Sequence, residues 1–306
     1  MENFADRLTA AVRRTRTPVL VGLDPRWEQL PDSLRSGDDS LASRARAYTR
    51  FCQGVIDVVA PLVPAVKPQA AFFEELGPAG MQSLAEVLVY ARQKKLLVIL
   101  DAKRNDIGST ATAYAHGYLD AGGAAAWGAD ALTVSPYLGD DSLTPFVDVA
   151  MERGCGLFTL VKTSNAGGKT FQDLLVDGQP LYRHVGQFVE RLAEQTVGAC
   201  GYGAVGAVVG ATYPEQLAEL RQAFPRTWFL VPGYGAQGGG AQDVAGAFDA
   251  HGLGAIVNNS RGIIFAHAGK AFAQFGPARW QEAVAAATGQ MIEELRAETT
   301  AGRLAG

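Results

Sequence analysis

Cysteine is scarce in this chain: three in 306 residues, at positions 52, 155 and 200. Scattered and odd in number, they form no disulfide framework and imply reduced thiols in a cytoplasm. As small buried hydrophobes they need no redox role. Histidine is nearly as rare. The four (116, 184, 251 and 267) show no HxxxH or HxH spacing, which excludes a His-built metal site. No apolar run is long enough to span a bilayer. No basic block stands out and the net charge is −4, which argues against a nucleic-acid surface. The opening stretch MENFADRLTA is charged and amphipathic, without an apolar signal core, so a cytoplasmic chain is expected. No low-complexity linker or shift in composition divides the sequence.

What is present is a large apolar inventory. Hydrophobic residues make up 48% and charged residues 19%, enough to build one large core. Eight short apolar runs recur: 18–24, 63–69, 96–103, 129–135, 156–162, 204–210, 227–233 and 254–260. Each is nearly continuous in β-favouring residues, the pattern of strands buried on both faces. Helix-like segments lie between them, including 41–60, 81–96 and the tail from about 270 to 300. In TYPEQLAELRQAF, Thr212 is the expected N-cap and Pro214 occupies the first turn. Strict βα alternation repeated eight times predicts an α/β fold, a closed (β/α)8 TIM barrel, as one domain over 1–306. A doubly wound sheet is the alternative. Residues 31–42 and the Gly-rich, polar 163–180 read as loops, the second long enough to act as a lid.

The strand ends are unusually polar. The first ends in Asp24, the second carries Lys67, the third ends Asp101-Ala102-Lys103, the fifth Lys162-Thr163-Ser164-Asn165, and the eighth Asn258-Asn259-Ser260-Arg261. In a barrel these ends converge on the active-site face. Asp101 and Lys103, two apart on a strand, should share a face, with Lys67 beside them on the neighbouring strand. Asp24 or Asp106 would extend this alternation of charge, which fixes Lys103 as an aimed ammonium. VPGYGAQGGG (231–240) contains G-x-G-x-x-G at Gly233, Gly235 and Gly238. It follows the seventh strand rather than the first of a βαβ pair, so a phosphate loop fits better than a dinucleotide site. Backbone N–H groups of Gly235 and Gly238 would cradle the anion, with Ser260 nearby and Gln237 and Arg261 adding side-chain donors. A phosphate end and a Lys–Asp end leave three chemistries open: decarboxylation or proton transfer by a fixed ammonium without cofactor, Schiff-base aldol chemistry, and Mg-dependent enolate chemistry on Asp24 and Asp101. A phosphate-ligand binding protein without turnover is a further alternative.

Asp101-x-Lys103-x-x-Asp106-Ile107, with Thr110 just after, resembles the signature of the orotidine 5′-phosphate decarboxylase family. VGLDP (21–25), AVKPQAAFFE (65–74), SPYLG (135–139), LVKTSNAGG (160–168), PGYGAQGG (232–239) and VNNSRGI (257–263) extend the likeness over most of the chain, toward the family's longer bacterial second group. Asn105 departs from the pattern, standing where a glycine is expected. The resemblance implies decarboxylation of orotidine 5′-phosphate to UMP and CO2 in pyrimidine synthesis, with neither cofactor nor metal. Lys103 would protonate C6, Asp101 would face the substrate carboxylate, and Lys67 would link the aspartates. Asp24 and Lys67 would hold ribose hydroxyls, Ser164 the pyrimidine, and Gln237 and Arg261 the phosphate. Asp106 and Thr110 would reach the partner's ligand in a homodimer with shared sites.

Overall fold

A computed structural model of the protein describes residues 1–35, 38–120, 122, 125–235 and 238–305. Eight parallel strands close into a barrel: β1 (Val19–Leu23), β2 (Ala65–Pro68), β3 (Leu97–Arg104), β4 (Ala131–Val134), β5 (Gly156–Lys162), β8 (Val205–Val209), β9 (Phe229–Val231) and β10 (Ala255–Asn259). The order around the barrel is β1-β2-β3-β4-β5-β8-β9-β10, with β10 pairing back onto β1. All eight coincide with the apolar runs of the sequence, and the (β/α)8 expectation holds. Two further short strands, β6 (Leu175–Val176) and β7 (Gln179–Pro180), form an antiparallel hairpin inside the 163–180 segment. That segment is therefore folded rather than a plain loop.

Period-two alternation divides each barrel strand between two cores. Leu20, Ala65, Ile99, Ala131, Phe158, Val208, Leu230 and Ile256 point inward and pack together. Val21, Val66, Val98, Leu132, Leu157 and Val257 point outward, against the surrounding helices. Those helices include Leu41–Val59, Gly77–Gln93, Gly108–Tyr118, Leu181–Gln195, Pro214–Ala223 and Trp280–Glu298. The expected cap of the 214–223 helix does not form. Its N-cap is Tyr213, without a side-chain bond, and the Thr212 hydroxyl instead donates to the Ser164 carbonyl at 3.2 Å.

The N-terminal helix, Phe4–Thr15, lies across the N-terminal mouth of the barrel. The Asn3 side chain caps it, accepting from the Ala5 N–H at 2.8 Å. Phe4, Leu8 and Val12 are fully buried against the inner core, and the Phe4 ring meets Phe158 edge-on at 6.1 Å. One end of the barrel is thereby filled, and the C-terminal strand ends form the open face.

Candidate active site

Continuing the inward alternation toward the C-terminal end turns apolar positions into polar ones. Beyond Ala65 comes Lys67, beyond Ile99 Asp101, beyond Ala131 Thr133, and beyond Ile256 Asn258 and Ser260. These side chains, with Asp24, line a cavity of about 490 Å³ at the open face. Ser164, Gln172, Arg26 and Arg261 also line it.

Asp101 is the centre of the charge knot. Its Oδ1 accepts from Lys103 Nζ at 2.6 Å and Thr133 Oγ1 at 3.0 Å. Its Oδ2 accepts from Lys67 Nζ at 2.7 Å and Gln69 Nε2 at 3.1 Å. Burial alone would push this carboxyl up. The ammoniums of Lys67 and Lys103 outweigh it and hold Asp101 well below the usual carboxylate range. Burial alone would lower Lys67, but the carboxylates of Asp101 and Asp24 raise it instead. The two lysines differ in access: the side chain of Lys67 is 5% exposed and that of Lys103 is 48% exposed. Both line the cavity, Lys67 nearly buried in its wall and Lys103 with its ammonium more openly presented.

Lys103 does not meet Asp101 along a regular strand. Its backbone is left-handed, at φ +48°, and the β3–β4 register shifts between Leu100 and Arg104. Thr133 on β4 holds this bulge, its hydroxyl oxygen accepting from the N–H of Ala102 at 3.1 Å and of Lys103 at 2.9 Å. Asn105, the departure from the motif, braces the next turn by donating to the Ser135 carbonyl and to Ser142 Oγ.

The other expected residues separate into groups. Asp24 is in the cavity, with Oδ1 buried and without a hydrogen-bond partner among the described residues. Asp106 and Thr110 are outside the cavity. Asp106 Oδ1 accepts from the Ile107 N–H at 2.8 Å, and Thr110 is exposed on the helix that follows. Lys162 is fully buried but does not line the cavity. Gln237 lies outside the described residues.

The glycine loop is folded back on itself. Gly235 and Gly238 have positive φ, +71° and +96°, and neither lines the cavity. The Gly235 N–H donates to the Gly239 carbonyl at 2.7 Å, and the Gly238 N–H to the Gly235 carbonyl at 2.9 Å. Both N–H groups are bonded within the loop in this structure. The cationic donor facing the cavity here is Arg261, next to Ser260, whose hydroxyl donates to the Gly22 carbonyl at 3.2 Å.

Sequence reasoning missed Thr133, Gln69, Gln172 and Arg26. Thr133 has a signal only in hindsight of the barrel: it is the inward position of the strand beside Asp101. Asn258 and Asn259 also line the cavity, each with a buried Oδ1 that has no partner among the described residues. No three or more His, Cys, Asp or Glu side chains cluster to hold a metal ion among the described residues. No helix there is long and apolar enough to cross a membrane.

Residues 17–274 match the family model of the orotidine 5′-phosphate decarboxylase / HUMPS family. The chain belongs to that family. It is 58% identical over 304 residues to an orotidine 5′-phosphate decarboxylase of Rhodopirellula baltica, covering 97% of this chain and all of that one. It is 44% identical over 264 residues to the corresponding protein of Deinococcus radiodurans, covering 86% and 89% of the two chains. Among solved structures, the OMP decarboxylase of Leishmania donovani superposes with a TM-score of 0.73 at 34% identity, over 97% and 98% of the chains. The resemblance read from the motifs therefore holds, and so does the assignment to a decarboxylase class in pyrimidine synthesis.

Proposed function

We propose that this chain converts orotidine 5′-phosphate to UMP and CO2 without a cofactor, with Lys103 as the proton donor. One observation carries the reading: a buried carboxylate holds two ammoniums at the cavity, and that of Lys103 is much the more exposed. The bond between C6 and the substrate carboxylate breaks, CO2 departs, and the electron pair stays on C6 in the ring plane. No conjugated acceptor is available to that pair. A preorganised ammonium stabilises it and then transfers its proton from Nζ to C6. Water restores the lysine proton afterwards.

Asp101 keeps Lys103 charged and aimed, and it faces the substrate carboxylate. Lys67 joins Asp101 to Asp24, and Asp24 and Lys67 take ribose hydroxyls. Ser164 meets the pyrimidine. Arg261, with Gln237 and Ser260, takes the phosphate, whose binding energy closes and orders the site.

The same reading makes the working unit a homodimer of one-domain barrels in the cytoplasm. Asp106 and Thr110, which do not line their own cavity, would serve the partner's. Exposed Ile107 on this side, and Tyr137 and Leu138 on the adjoining segment after β4, supply apolar surface for such a contact.

The test is the absorbance of orotidine 5′-phosphate incubated with the purified protein, with and without EDTA. Rapid, EDTA-insensitive loss of the orotate chromophore, abolished in Lys103→Ala, is the expected result. An unchanged chromophore, or loss only without EDTA, overturns the proposal and turns attention to metal-dependent chemistry on sugar phosphates.

A further inference from the structure

Lys162 is a buried ammonium that the proposed chemistry does not use. Alternation from Phe158 and Leu160 would send it into the barrel. The β5–β8 register shifts between Leu160 and Lys162, and the side chain leaves the cavity. It lies 4.4 Å from the ring centre of Tyr213 and 5.1 Å from that of Tyr182, and it pairs with the Asp173 carboxylate. Lys162 is 1% exposed, whereas the side chain of Asp173 is 44% exposed. A fully buried ammonium is expensive to leave unpaired, so the segment carrying its carboxylate is drawn in.

That segment is one wall of the cavity. Asp173 follows Gln172, the last residue of the short helix Lys169–Gln172. Gln172 closes the loop on itself: its Oε1 accepts from the Thr163 N–H at 3.0 Å, and its Nε2 donates to Thr163 Oγ1 at 2.8 Å. Thr163, Ser164, Asn165 and Gln172 all line the cavity. Little apolar packing anchors the segment otherwise, because Phe171, Leu174 and Leu175 are 61%, 53% and 70% exposed. Around the barrel, β5 stands three strands from β10, whose end carries Arg261. If Arg261 takes the phosphate, this wall faces the base.

We propose that Lys162 and Asp173 form a latch that presets the base-binding wall of the cavity, acting as positioning residues through Gln172 and Ser164. The latch rests on the functional reading given above. It touches no reacting atom, and its work is to hold the wall within the sub-ångström range that orientation demands.

The test is calorimetric titration of wild-type protein, Lys162→Met and Gln172→Ala with two probes, UMP and ribose 5-phosphate. Lys162→Met keeps most of the buried volume and leaves only a part-exposed carboxylate unpaired. Gln172→Ala disturbs no buried charge, so at least one folded variant is available. UMP affinity is expected to fall about tenfold or more in both variants, with ribose 5-phosphate affinity unchanged. UMP affinity equal to wild type overturns the latch. An equal loss for both probes also overturns it, because that marks a loosened barrel rather than a displaced base wall. Wild-type protein that binds neither probe overturns the functional reading itself, and the latch with it.

Discussion

Lys103 and Asp101 meet at 2.6 Å across a break in the strand that carries them both. A non-glycine residue at φ +48° is held in a sparsely populated region, and the surroundings must enforce it. Thr133 does so with one oxygen that accepts two backbone N–H groups while its hydrogen goes to Asp101. Thr133→Val should orphan both N–H groups and release the bulge. The expected loss is about tenfold or more in kcat with a small change in KM, and a drop in unfolding free energy of about 1–3 kcal/mol. Steady-state kinetics beside denaturant melts would check both; an unchanged kcat would remove Thr133 from the site.

Asp101→Asn should strip the carboxylate that both lysines touch. Removing one partner from a buried ion network costs about 3–5 kcal/mol. The pH dependence has a sign. Asp101 is held below its unfolded value, near 3.9, so its contribution is complete above about pH 4 and fades as pH falls through the folded value. Lys67 is raised, so its contribution is complete below its unfolded value, near 10.4, and is lost as pH rises through the folded value. The stability gap between wild type and Asp101→Asn should therefore be flat across neutral pH and narrow below about pH 4. Chemical denaturation at a series of pH values measures it, and a gap that widened in acid would contradict the network.

Arg261→Ala separates the two ends of the cavity. KM for orotidine 5′-phosphate should rise about tenfold to a hundredfold, the scale of one charge-assisted contact. The affinity for uridine, which has no phosphate, should not change. Equal losses for nucleotide and nucleoside would place Arg261 elsewhere in recognition.

Asp106 belongs with Lys103 in sequence, but only Lys103 lines the cavity of their own chain. Lys103→Ala and Asp106→Ala proteins should each be nearly inactive alone. Mixed under conditions that allow subunit exchange, they should regain activity, because one site of each mixed dimer then carries neither change. No recovery, with exchange verified by sedimentation or native mass spectrometry, would mean that Asp106 serves its own subunit.

The barrel was legible because its signals are periodic. Eight apolar runs at βα spacing left little choice of fold, and the inward alternation carried Lys67, Asp101 and Asn258 to the open face. Where the period breaks, sequence reasoning fails. Lys103 reached the right partner through a bulge that alternation did not foresee, and Lys162 was carried out of the cavity by another. Thr133 and Gln172 were missed for a different reason. Thr133 reads as an ordinary strand former, and Gln172 as loop polarity, until a neighbouring strand or turn gives each a partner. The glycine loop was recognised by its spacing, but spacing does not tell whether an N–H faces a ligand or its own loop. At Gly235 and Gly238 it faces the loop.

The helix Phe4–Thr15 has an effect beyond the rim it covers. With Phe4, Leu8 and Val12 packed against the inner core, the barrel is a cul-de-sac rather than a tunnel. Everything that enters must leave by the door it came through. In the proposed reaction the released gas and the nucleotide therefore share one exit, between the wall lined by Ser164 and Gln172 and the rim bearing Arg261. Arrival of the reactant and departure of both products then use the same mouth.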